Sequence, residues 1–217
     1  MNNLSCKDQI ITIAKKLYER QMVNTNEGNV SIYHEGRVYI TPSQVCKGDL
    51  TSEMIVTTDL EGKILEGSYK PSSEIALHLH IYKQRPDVHS VVHDHSPFAT
   101  AFAIARRPIS SKAYTEMIFF YDHIPVVEYG APGTPAIYKG IEKYICQTDI
   151  FLLANHGLVA VGSDSTDAYL KAESVESMAK TLAIAHLLGG EYPLSQGELT
   201  ELYKLRKEKL NKDPIKS

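Results

Sequence analysis

The stretch KPSSEIALHLHIYKQRPDVHSVVHDH, residues 70–95, decides how this 217-residue chain is read. It closes on His93-Asp94-His95 and carries Glu74 at the head of a helical segment, 74–84. Side chains two apart on a strand share a face, so His93 and His95 can grip one cation while Asp94 looks away. Residues 88–92 are an apolar run suited to a buried strand, and Ser96-Pro97 then opens a helix, because the fixed φ of proline suits a first helical turn. A second apolar run, 150–154, ends in the same fashion at Asn155-His156-Gly157. Ligands of α/β proteins commonly sit at the carboxyl ends of strands. A lone His-x-His is a weak signal in a chain with 9 histidines; it is this context that gives it weight. Three imidazoles at strand ends with one carboxylate suit Zn²⁺ best, and Mn²⁺ also accepts mixed nitrogen and oxygen ligands.

Upstream of that stretch, Ser5 followed by Asp8 caps a helix whose Ile10, Ile11, Ala14, Leu17 and Tyr18 form one apolar stripe ending near Met22. Residues 30–33 and 38–41 flank His34-Glu35-Gly36, and 54–58 and 63–65 flank Glu61-Gly62, which predicts two hairpins. Downstream, helices are expected over 97–105, 135–146 and 165–188, the last stopped by Gly189-Gly190, with strands at 124–127, 150–154 and 158–161. A charged helix over 196–210 closes the pattern. Hairpins early and strand-helix alternation later predict a mixed sheet in a layered α/β/α domain, one domain over residues 1–217.

Three polar turns precede the histidines: 26–31 (NEGNVS), 41–44 (TPSQ) and 71–74 (PSSE). Each offers backbone N–H groups and small hydroxyl or amide donors, the chemistry that holds a phosphate, and Ser72 and Ser73 stand where a helix begins. Taken alone, Ser72 or Ser73 is a plain helix cap and Gly28-Asn29 a turn. Their neighbourhood to a metal site is what favours an anion.

Composition narrows the partners. Hydrophobic content of 43% and charged content of 23% are those of an ordinary globular protein. A net charge of −3 leaves no basic footprint for nucleic acid, and no apolar run is long enough to span a membrane. Cys6, Cys46 and Cys146 are widely spaced without CxxC, and the polar 1–7 segment does not read as a signal peptide, so a cytoplasmic protein with a small-molecule partner is expected.

GNVS (28–31), ITPS (40–43), KPSSE (70–74), VVHDHSPFATA (91–101) and LLANHGLVAVG (152–162), in this order over nearly the whole chain, resemble the class II aldolase and adducin-head family. The resemblance implies an α/β/α fold with a largely antiparallel central sheet and a homotetramer with active sites between subunits. It implies His93, His95 and His156 as ligands of one divalent metal per subunit, with Glu74 both a ligand and the catalytic acid/base. It places Gly28, Asn29, Ser43, Gln44, Ser72 and Ser73 about a sugar phosphate, and Tyr114 as the group that protonates an aldehyde oxygen in the neighbouring subunit. The implied reaction is reversible cleavage of a ketose 1-phosphate, such as L-fuculose or 5-deoxyribulose 1-phosphate, into dihydroxyacetone phosphate and a small aldehyde through a metal-stabilised enediolate. Alternatives within the family are a methylthioribulose-phosphate dehydratase and a non-catalytic adducin-like module. The epimerase branch looks for aspartate where this chain has Glu74. The chain also departs from the family pattern at Asn26, Gln44, Asp94 and Pro132. His78, one turn beyond Glu74, is expected to make a structural hydrogen bond.

Overall fold

Local capping starts the chain. In the computed structural model, which describes residues 4–212, helix α1 (Cys6–Glu19) begins where Ser5 Oγ accepts the Asp8 N–H and donates to the Asp8 carboxylate at 2.7 Å. That satisfies an amide the helix leaves open. Ile10, Ile13, Ala14 and Leu17 bury one face, the apolar stripe that docks the helix. Two hairpins follow, β1 (Asn29–His34) with β2 (Arg37–Ile40), and β3 (Val56–Thr58) with β4 (Ile64–Glu66). The first turns on Glu35 and Gly36 at φ 49° and 77°, the left-handed pair whose twist matches the strands. The remaining elements are α2 (Ile75–Gln84), β5 (Ser90–Asp94), α3 (Pro97–Ile104), β6 (Ile109–Ser110), α4 (Thr115–Phe120), β7 (His123–Ile124), β8 (Val126–Val127), α5 (Ala136–Lys139), β9 (Ile150–Leu153), β10 (Gly157–Gly162), α6 (Ser165–Leu187) and α7 (Gln196–Lys212).

Eight strands form one sheet in the order β4-β3-β2-β1-β5-β10-β9-β8, antiparallel except where β8 runs parallel to β9. Strand β5 lies at its centre, with His93 opposite Asn29 of β1 and Val159 of β10. Alternate residues feed two cores. Val92, Leu152, Leu158 and Ala160 pack with residues of α1, α3 and α6. Val91, Leu153, Val159 and Val161 pack with Leu77 and Ile81 of α2 and Ile137 of α5. The result is helices on both faces of a mixed sheet, the expected α/β/α sandwich. The central strands carry apolar side chains to both sides because both sides are covered.

Differences from the expected elements have local causes. The single strand over 124–127 is two, because Pro125 has no N–H for a ladder: β7 pairs with β6 in a small second sheet, and β8 joins the main one. Pro125 O still accepts the Leu152 N–H at 2.9 Å. The helix over 135–146 shrinks to α5 and a run of turns, with Gly140, a weak helix former, next in line. Helix α1 stops at Glu19 rather than Met22, where Gln21 takes φ 58°.

Candidate metal and anion site

Strand β5 delivers His93 to the α2 side of the sheet, and the chain just beyond it delivers His95 to the same side. Asp94 turns to the other side, where its Oδ1 accepts the Ser96 N–H at 2.9 Å. His156 arrives from the turn between β9 and β10. Close approach there requires glycine: a Cβ on Gly157 would lie 2.4 Å from Asp94 O and 2.8 Å from the His95 ring. Gly28, at φ 68°, likewise passes His93 O, and a Cβ on it would lie 2.4 Å from Val23 Cγ1.

The three rings meet edge to face, with centroids 4.8–4.9 Å apart. His95 Nε2 is 3.1 Å from His93 Nε2. Glu74, at the N-cap position of α2, reaches His93 Nε2 with Oε2 at 3.2 Å and His156 Nε2 with Oε1 at 3.4 Å. His93 Nδ1 donates to Leu158 O at 2.8 Å, which orients the ring and, when the ring is neutral, leaves the lone pair on Nε2. Behind Glu74, Asn29 Nδ2 donates to Oε2 at 2.9 Å, and Asn29 Oδ1 bonds His78 Nε2. His78 Nδ1 meets Ser31 Oγ at 2.6 Å, and Ser31 Oγ meets Tyr82 Oη at 2.6 Å. The structure therefore gives His78 the structural hydrogen bond expected of it. It also commits the Asn29 side chain to Glu74.

The electrostatics suit a cation. Burial, aided by positive potential from His93, pushes His95 down to about 3 and His156 to about 4, so both stay neutral donors. Burial also disfavours a charged His93 ring, but the Glu74 carboxylate outweighs it and raises the His93 pKa. Burial alone would lift Glu74; His93 and His156 instead hold it well below the usual carboxylate range. Glu74 Oε1 and His156 Nδ1 are buried without a hydrogen-bond partner among the described residues. Convergent Nε2 atoms, an anchored tautomer and an orphaned carboxylate oxygen fit a divalent metal. Among the described residues these histidines form the one such metal-competent group.

A cavity of about 210 Å³ opens on this cluster. Glu74, His95 and His156 of the cluster line it. The polar turns supply the rest of the lining, with Gly28, Ser43, Gln44, Ser72, Ser73 and Lys47, so every expected phosphate residue, Asn29 included, reaches the one cavity. Gln44 takes φ 58°, a conformation that favours glycine. Pro132 also lines it. Tyr114 does not: it sits at the N-cap position of α4, packed against the α1/α3/α6 core. Lys47 was not legible as a site residue, since one lysine in VCKGDL looks like any solvated charge. A larger open cleft of about 590 Å³, lined by residues such as Leu4, Cys6, Tyr33 and Ser165, holds no comparable ligand cluster among the described residues.

The chain matches the Class II Aldolase and Adducin N-terminal domain over residues 8–183. It belongs to that family. It is 39% identical over 173 residues to an L-fuculose phosphate aldolase of Methanococcus vannielii, covering 79% of this chain and 92% of that one. It is 31% identical over 201 residues to a 5-methylthioribulose-1-phosphate/5-deoxyribulose-1-phosphate aldolase of Escherichia coli, covering 92% and 94%. Among solved structures, an L-fuculose 1-phosphate aldolase superposes with a TM-score of 0.85 at 29% identity, covering 95% of this chain and 98% of that one. Among the described residues, no helix of this family member is long and apolar enough to cross a membrane.

Proposed function

We propose that this chain is a metal-dependent aldolase that cleaves a ketose 1-phosphate reversibly into dihydroxyacetone phosphate and a small aldehyde. The observation that carries the reading is one cavity lined both by Glu74, His95 and His156 of the cluster that His93 completes and by hydroxyl, amide and lysine donors. The named activities of the relatives agree with it.

His93, His95 and His156, joined by Glu74, would hold the metal, and three imidazoles favour zinc. Bound there, a divalent cation supplies Lewis-acid stabilisation of the negative charge left on the substrate oxygens when the carbon-carbon bond breaks. Glu74 holds or returns the proton at the carbon that becomes the hydroxymethyl of dihydroxyacetone phosphate. Asn29 and His78 keep its carboxylate aimed. Gly28, Ser43, Gln44, Ser72 and Ser73 seat the phosphate. In a homotetramer, Tyr114 of an adjacent copy completes the site as proton donor to the aldehyde oxygen. Such an enzyme works in the cytoplasm.

The test is proton exchange without any aldehyde. Metal-loaded protein in D₂O is expected to put one deuterium on carbon in dihydroxyacetone phosphate, and Glu74→Gln to abolish that exchange while keeping part of its metal. Exchange at the parent rate in Glu74→Gln would remove Glu74 from the proposed role.

A further inference from the structure

Lys47 opens a short 3₁₀ turn (Lys47–Asp49) just past the 41–44 turn, and its side chain runs inward until it is 2% exposed. Its Nζ donates to Val45 O at 2.9 Å. An ammonium has three donors, and among the described residues this one has no second acceptor and no carboxylate at ion-pair distance. Burial lowers its pKa; the neighbouring Cys46 thiol works against that without outweighing it, and no carboxylate contributes. A buried charge without a partner is costly, so a protein that keeps one ordinarily completes it with an ion or ligand.

The cavity shows which ion. Of the carboxylates lining it, Glu74 is engaged by His93 and His156, and Glu27 faces His95 at 3.7 Å. Several backbone donors in the polar turns are already used: Ser43 N–H on Lys70 O, Ser72 N–H on Thr41 O, and Glu74 N–H on Ser72 Oγ. A dianion seated here therefore meets hydroxyls and amides, with few free backbone N–H groups to balance its charge. Among the described residues, Lys47 is the one lysine or arginine that lines the cavity.

We propose that Lys47 is the counter-charge for the substrate phosphate, and that through it the cavity selects a phosphate monoester over the unphosphorylated sugar. The inference rests on the sugar-phosphate reading above. A charge-assisted hydrogen bond to a desolvated phosphate makes Lys47 an affinity determinant, with a neutral replacement expected to weaken phosphate binding about 10- to 100-fold.

Titration calorimetry on the metal-loaded protein tests it, with inorganic phosphate, dihydroxyacetone phosphate and dihydroxyacetone as probes. Lys47→Met is expected to lose about 10- to 100-fold in affinity for both phosphates, with metal content and dihydroxyacetone binding unchanged. Lys47→Arg, which keeps the charge, should stay close to the parent. Failure of the parent to bind dihydroxyacetone phosphate would overturn the sugar-phosphate reading itself. Parent binding matched by Lys47→Met would overturn the role of Lys47 alone. Should Lys47→Met not fold, the ¹³Cε resonance of Lys47 in the unaltered protein decides, assigned by its loss in Lys47→Arg. A shift on saturation with inorganic phosphate supports the contact, and an unmoved resonance rejects it.

Discussion

The two ends of the 210 Å³ cavity are built from different materials. The metal end is made of side chains: His93 and His95 come from the central strand and its extension, His156 from the β9–β10 turn, and Glu74 from the head of α2. The sheet behind them is covered on both faces, so their positions are inherited from the core. The anion end is made of turns, at 26–29, 41–44 and 71–73, stitched by the Pro42–Pro71 bridge and by Ser43 N–H on Lys70 O. The metal end requires specific side chains at specific places, whereas the anion end relies on donors of several kinds and one buried lysine. The first should therefore respond to substitution by losing chemistry, and the second by losing affinity.

The sharpest way to break that contrast is His95→Ala. It removes one of three imidazoles and should lose both bound metal and turnover, the latter by roughly 10⁴-fold if the cation is worth several kcal/mol of transition-state stabilisation. Metal analysis and steady-state kinetics check it, and full activity with full metal would place the reacting centre elsewhere. Next comes Glu74→Gln, which keeps the shape and the Asn29 neighbour but not the base. Turnover should fall ~10²–10⁴-fold with KM little changed and part of the metal kept. A pure KM effect would move Glu74 to the binding half of the cavity.

Gly28→Ala joins the two ends, because Gly28 lies in a polar turn and its Cβ would meet both Val23 Cγ1 and His93 O at a φ of 68°. The strain and overpacking should cost roughly 2–3 kcal/mol of stability, seen in denaturant unfolding. A neutral result would mean that the turn can move without disturbing β5. The smallest effect is expected at Asp94, which shares the strand but faces the other core. Burial raises its pKa to about 6 from an ordinary 3.8. The folded state thus binds that proton more tightly than the unfolded one, and ionisation costs stability as pH rises from about 4 to about 6. Asp94→Asn, neutral throughout, should make metal-free protein more stable at pH 7 by roughly 2–3 kcal/mol, with the gain vanishing below pH 4. Equal stability at pH 7 would show that Asp94 finds compensation for its charge.

The same contrast explains what could be seen in the sequence. Apolar runs at 88–92 and 150–154 were legible because strands covered on both faces must be apolar throughout, and the two-residue period placed His93 with His95 and Asp94 opposite. Ser5 with Asp8 located the first helix through a local hydrogen bond. Lys47 was not legible, since nothing in its neighbours says that its side chain turns inward; tertiary packing alone buries it. The Asn29–His78–Ser31–Tyr82 chain was half visible: the i, i+4 spacing tied His78 to Glu74, but its other partners come from β1, far away in sequence. Two-residue strands such as β6 and β7 carry no periodicity to read. Tyr114 lies outside the cavity of its own chain, so its role depends on assembly.

The most direct test of the whole account is dihydroxyacetone phosphate release from fuculose, rhamnulose, ribulose, 5-deoxyribulose and methylthioribulose 1-phosphates, each with and without a metal chelator. Rapid release is expected from at least one, abolished by chelator and restored by added zinc or manganese. Absence of release from all five by metal-loaded protein, or release indifferent to the chelator, would contradict it.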